Sequence, residues 1–93
     1  MSDISWEYTH TQPDTSIYYA NILHDFASKT NNKRWIASSL NTKGVGNYYL
    51  GNYDVSIICY QKAHTLYTLI GKLESSATML RNIGIIYKGQ GKY

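Results

Sequence analysis

Apolar residues recur along most of the chain at intervals of three and four, the spacing that gathers side chains on one face of an α-helix. Ile17, Ala20, Leu23 and Ala27 form one such series, and Ile36, Leu40, Gly44 and Asn47 a second. Ile57, Tyr60, Ala63, Leu66 or Tyr67, and Ile70 form a third, and Ala77, Leu80, Ile83, Gly84 and Tyr87 a fourth. No stretch alternates apolar and polar residues for long enough to make a strand. Asp14 and Asp54 are placed to cap helices, because a short carboxylate accepts the free amides of a first turn. Pro13 blocks a helix from running in from upstream. Gly51, Gly71 and Gly91 stand where helices should stop in the left-handed conformation. The pattern predicts four helices, over roughly 14–29, 34–50, 53–70 and 73–89, with a polar connection at 28–33. Residues 1–12 read as a polar, mobile arm.

The chain also repeats itself. A shift of 40 residues places LNTKGVGNYYLGNY on LRNIGIIYKGQGKY. It brings Leu40 onto Leu80, Gly44 onto Gly84, Gly51 onto Gly91 and Tyr53 onto Tyr93. The same shift aligns Asp14-Thr15-Ser16-Ile17 with Asp54-Val55-Ser56-Ile57, His24 with His64 and Ala37 with Ala77. A period in this range signals stacked helical units.

Composition narrows the class. Ninety-three residues make one small domain or part of a larger one, too short for a barrel enzyme or a full dinucleotide fold. Ten of the aromatic residues are Tyr and one is Phe, which favours rings that are covered while their hydroxyls reach water or a partner. The net charge of +3 is spread along the chain rather than gathered into the dense stripe that nucleic acid requires. The single cysteine, Cys59, excludes an internal disulfide and a cysteine zinc cage. No apolar run is long enough to cross a bilayer, and the first residues lack the basic flank and apolar stretch of a signal peptide. The expectation is a cytoplasmic location.

Leu80, Ile83-Gly84, Tyr87, Gly91 and Tyr93, with Leu40, Gly44, Gly51, Tyr53-Asp54, Tyr60 and Ala63 one period earlier, resemble the tetratricopeptide repeat in a variant of about 40 residues. On this resemblance, 14–33 is the second helix of one repeat, 34–73 a whole repeat, and 74–93 the first helix and turn of another. The implied fold is all-α, antiparallel helix pairs in a right-handed α-solenoid occupying 13–93. Leu40, Gly44, Tyr60, Ala63, Leu80, Gly84 and Tyr87 would be its packing residues, the glycines letting the first helix of a pair approach the second. Lys43, Asn47 and Ser56 depart from the family pattern, so helix 34–50 is expected to pack less tightly than 74–89, with Lys43 reaching to water. The run from Pro13 to Gly44 is also similar to arrays ahead of the signalling domains of bacterial histidine kinases and nucleotide cyclases. That similarity makes a sensory or regulatory segment of such an enzyme the alternative reading, although no kinase or cyclase residue is present.

Candidate chemistry is sparse. His24 and His64 lie one period apart on equivalent helices, too far for a shared zinc ion. Cys59 sits in the apolar run SIICY, where a thiol is normally a small core residue. The six acids are dispersed and make no general acid–base pair. Gly44-Val45-Gly46 lacks the Gly-Lys-Ser/Thr ending of a phosphate loop. RNA-reading helical hairpins need many copies, with a period nearer 35. No enzyme, metal, cofactor, nucleic acid or membrane insertion is expected. A protein-interaction module is. In the family, the outward side of each first helix lines a concave groove, which here would carry Asn41, Val45 and Tyr48, then Arg81, Ile85 and Lys88. The set suits an extended peptide of some acidic character. Val45 and Ile85 replace part of the family's carboxylate-binding set, so a C-terminal carboxylate ligand is not expected. The last helix is apolar on more than one face, which predicts self-association, most simply as a two-fold dimer through that helix.

Overall fold

The computed structural model describes residues 13–91. The expected arm at 1–12 lies outside the described residues, as do 92 and 93. The described residues form four helices and no strand: α1 (Pro13–Lys29), α2 (Lys33–Tyr49), α3 (Tyr53–Leu69) and α4 (Leu73–Gly89). The fold is all-α, and the helix boundaries fall within a residue of those predicted.

Each helix has 17 residues, and each linker has three, so the structure advances in steps of 20, half the sequence period. The cause lies in the turns. Asn31, Gly51, Gly71 and Gly91 all take a positive φ, between 54° and 82°. This left-handed residue turns the chain back so that its own amide bonds Ser28, Tyr48, Thr68 and Lys88 carbonyls respectively. In the first three turns the next amide, of Asn32, Asn52 or Lys72, reaches the carbonyl of Ala27, Asn47 or Tyr67 at 2.8–2.9 Å. These are Schellman closures, which satisfy carbonyls left open at a helix end. The residue that closes one helix also stands at the N-cap of the next. The start of α3 is therefore pulled upstream of the acid expected to cap it, and Asp54 is its second residue, inside the first turn; Asp14 likewise stands second in α1. Of the N-cap residues of α2, α3 and α4 only Asn32 caps its helix through its side chain, accepting from the Trp35 amide at 3.1 Å, while the Asn52 side chain donates to Asn47 Oδ1 at 3.3 Å.

Such short turns force consecutive helices to run antiparallel, and each packs along its neighbour in sequence. Ala37 and Leu40 of α2, Ile57, Tyr60, Ala63 and Tyr67 of α3, and Met79, Ile83 and Ile86 of α4 make one continuous core. Helix α2 packs closely against both α1 and α3, and helix α4 packs chiefly against α3. The expectation that 34–50 would pack less tightly than 74–89 is therefore reversed. The residues that prompted it are accommodated: Asn47 is buried with its amide donating to the Lys43 carbonyl at 2.8 Å, and Ser56 is buried with its hydroxyl on the Gly44 carbonyl at 2.6 Å. Lys43 itself is half-buried. Two expected packing residues lie outside the core. Leu80 is 54% exposed, and Gly84 is open to solvent. Their α2 counterparts, Leu40 and Gly44, are buried because α3 covers that stripe.

Candidate partner-binding surface

Helix α2 packs against both α1 and α3, and it carries three of the residues expected to meet a partner. Asn41 and Val45 are half-buried there, and Tyr48 is 36% exposed. Val45 also packs against the core, so its role is divided between packing and surface. On α4 the corresponding Arg81, Ile85 and Lys88 are all exposed, Ile85 by 51%. The two trios occupy the same turns of equivalent helices.

Around Tyr48 the sequence builds an aromatic platform. Its ring meets Tyr49 edge-on at 5.4 Å between centroids and the Tyr53 ring, across the turn, at 5.7 Å. The Schellman turn at Gly51 brings these rings together by folding α3 back on α2. Edge-on and tilted rings of this kind hold one another in place. The sequence placed Tyr53 among the repeat residues and did not foresee its ring against Tyr48.

A second cluster was not legible. His64 of α3 and Ser76 of α4 meet at 2.7 Å between Nδ1 and Oγ, and Thr68 Oγ1 lies 2.7 Å from the same serine oxygen. The Thr68 hydroxyl also lies 2.8 Å from the His64 carbonyl, and the Ser76 carbonyl is 3.1 Å from Nδ1. A serine–histidine pair can serve as nucleophile and base. Here the serine is 5% exposed, so no substrate reaches its oxygen, and the three side chains instead tie α3 to α4. His24, one period earlier, is half-buried. Among the described residues no three His, Cys, Asp or Glu side chains come together in a way that could hold a metal. Cys59 is buried, and burial raises its thiol pKa above the ordinary value against the opposing pull of Lys43 and Lys62. An inert thiol is the consequence, since only the thiolate is nucleophilic. No helix of the described residues is long and apolar enough to cross a membrane.

Compared with protein families, curated proteins and solved structures, the chain matches none.

Proposed function

We propose that the chain is a non-catalytic protein-interaction module, a tetratricopeptide-like segment of a right-handed α-solenoid that binds a peptide or protein through Asn41, Val45, Tyr48, Arg81, Ile85 and Lys88. One observation carries the reading. Tyr48 on α2 is exposed, and α4 exposes Arg81, Ile85 and Lys88 at the positions 40 residues after Asn41, Val45 and Tyr48. Such a surface offers a tyrosine ring from α2 and two cations from α4. It suits an extended segment with apolar and acidic residues, since aromatic side chains give contact area at low entropic cost and Arg pairs with carboxylates.

The test is a screen of acidic–apolar peptides by fluorescence anisotropy against the chain and its Tyr48→Ala, Arg81→Ala double variant. A peptide bound by the parent and weakened at least tenfold by the variant, with the melting temperature nearly unchanged, supports the reading. A variant that binds equally well, or one that loses its fold, removes these residues from the site.

A further inference from the structure

We infer that the chain pairs with a second copy of itself through the outer face of α1, in an antiparallel contact whose two-fold axis passes beside Ile22. The inference comes from the residues that α1 leaves uncovered and from their order along the helix.

Helix α1 packs chiefly against α2. Its fully buried residues are small: Ser16, Ala20 and Ala27. Its other side carries every Tyr and Phe ring of the helix, and Tyr18, Tyr19, Ile22 and Phe26 are each between 51% and 62% exposed. A helix that turns its alanines inward and its rings outward inverts the ordinary amphipathic arrangement. Trp35, at the start of α2, is exposed too and extends the patch, its ring 6.2 Å from that of Phe26. At the other end the Tyr18 and Tyr19 rings meet edge-on at 5.6 Å. Rings exposed to this degree present about 100 Å² each. With Ile22, the patch comes to about 500 Å² on one copy and about 1,000 Å² across two, the area at which specific interfaces begin.

The order of these residues is self-complementary. In an antiparallel pair of identical helices, a residue some positions before the axis faces the residue as many positions after it in the other copy. With the axis at Ile22, Tyr18 of one copy meets Phe26 of the other, four residues to either side, and the two isoleucines meet at the centre. The Tyr18–Tyr19 pair of each copy is thereby set on the Phe26–Trp35 pair of the other. Charge follows the same order. Asp14 stands in the first turn of α1 and Lys29 in the last, and both are exposed. Antiparallel pairing brings the Asp14 end of each copy to the Lys29 end of the other and opposes the two helix dipoles, whereas parallel pairing would set like ends together.

Helix α4 is a poorer surface for the same purpose. Its exposed Leu73, Leu80 and Ile85 are interrupted by Glu74 and Arg81, and an antiparallel pair centred on Leu80 would set arginine beside arginine. On this inference the two-fold contact expected at α4 forms at α1 instead.

Sedimentation equilibrium of the full chain, from micromolar to millimolar concentration, should show a monomer–dimer equilibrium that stops at two, because a two-fold contact uses the patch up. Ile22→Glu sets two carboxylates together on the axis and should raise the dissociation constant at least tenfold. The circular dichroism and thermal melting of the monomer should stay as they are, since the side chain is exposed. Leu80→Glu should leave the equilibrium unchanged. Ile22→Cys tests the geometry without adding charge. With oxidised glutathione as the oxidant, two copies should join through residue 22. Tyr18→Cys alone and Phe26→Cys alone should not join, and a mixture of the two should. Cys59 is buried and does not compete. A monomer at every concentration overturns the inference, as does a dimer broken by Leu80→Glu and not by Ile22→Glu. So does growth beyond two, which a head-to-tail contact of α1 on α4 would give, or self-linkage by Tyr18→Cys, which a parallel pair would give.

Discussion

Gly44 and Tyr60 are built as one unit: three ring atoms lie 2.7–3.0 Å from where a Cβ on residue 44 would stand. The ring cannot retreat, since Tyr60 is 4% exposed and sits in the middle of the core. Gly44→Ala should therefore destabilise the chain despite alanine's better helix propensity. Overpacking costs about 1–3 kcal/mol and the propensity gain returns up to about 1, so a net loss of roughly 1–2 kcal/mol is expected in urea unfolding. Adding Tyr60→Leu should make the alanine far less damaging than it is alone. Independent, additive effects of the two substitutions would disprove the contact.

The His64–Ser76–Thr68 cluster makes a different kind of prediction. Ser76 is buried, so removing His64 leaves a serine hydroxyl with one fewer partner in a dry place. Each of His64→Ala and Ser76→Ala should cost about 1–2 kcal/mol. Because they share the bond, the double variant should cost less than their sum by at least about 0.5 kcal/mol. A thermodynamic cycle that closes to zero would reduce the cluster to coincident neighbours.

What could be read from the sequence followed from what periodicity encodes. Spacings of three and four named the helices, and Gly51 and Gly71 fixed two of the turns, because few residues besides glycine enter the left-handed region without cost. The turn at Asn31 was read only as a polar connection, since asparagine adopts that conformation but does not advertise it. Periodicity also groups residues into stripes without saying which stripe a neighbour covers. Leu80 and Gly84 were therefore expected in the packed set on the strength of Leu40 and Gly44, and the structure leaves them open. The hydrogen-bonded cluster had no signal at all. Its members come from different helices, and the period equates Ser76 with Ile36, so no echo of it appears in the other repeat.

The turns themselves can be tested. Gly51→Ala and Gly71→Ala should each cost about 1–2 kcal/mol, the penalty of a Cβ in left-handed backbone. Both sites are free of neighbours within 4 Å, so the cost is conformational and not steric crowding. Asn31→Gly should change stability by less, because asparagine already tolerates the conformation and the Thr30 hydroxyl, bonded to the Phe26 and Ala27 carbonyls, still secures the end of α1. Equal sensitivity at position 31 would mean that the asparagine side chain contributes more than its backbone.

Burial of Tyr60 also sets an alkaline limit to the fold. Its hydroxyl pKa is pushed up from 10.0 to about 12, chiefly by desolvation, with Ser56 partly offsetting the rise. The unfolded chain exposes the phenol and releases its proton near pH 10, and the folded chain holds it to about 12. Between those values the folded state binds more protons, so unfolding free energy falls as pH rises. Stability from this group is intact below about pH 10 and declines through about pH 12, by roughly 3 kcal/mol in all. Burial raises the Tyr67 pKa too, against the pull of Arg34, and adds a slope of the same sign. Tyr60→Phe removes the titrating hydroxyl and keeps the ring over Gly44. Urea unfolding at pH 8, 10 and 11.5 should therefore show a shallower alkaline decline for the variant than for the parent. Parallel curves for the two proteins would show that the Tyr60 hydroxyl reaches water in the folded chain.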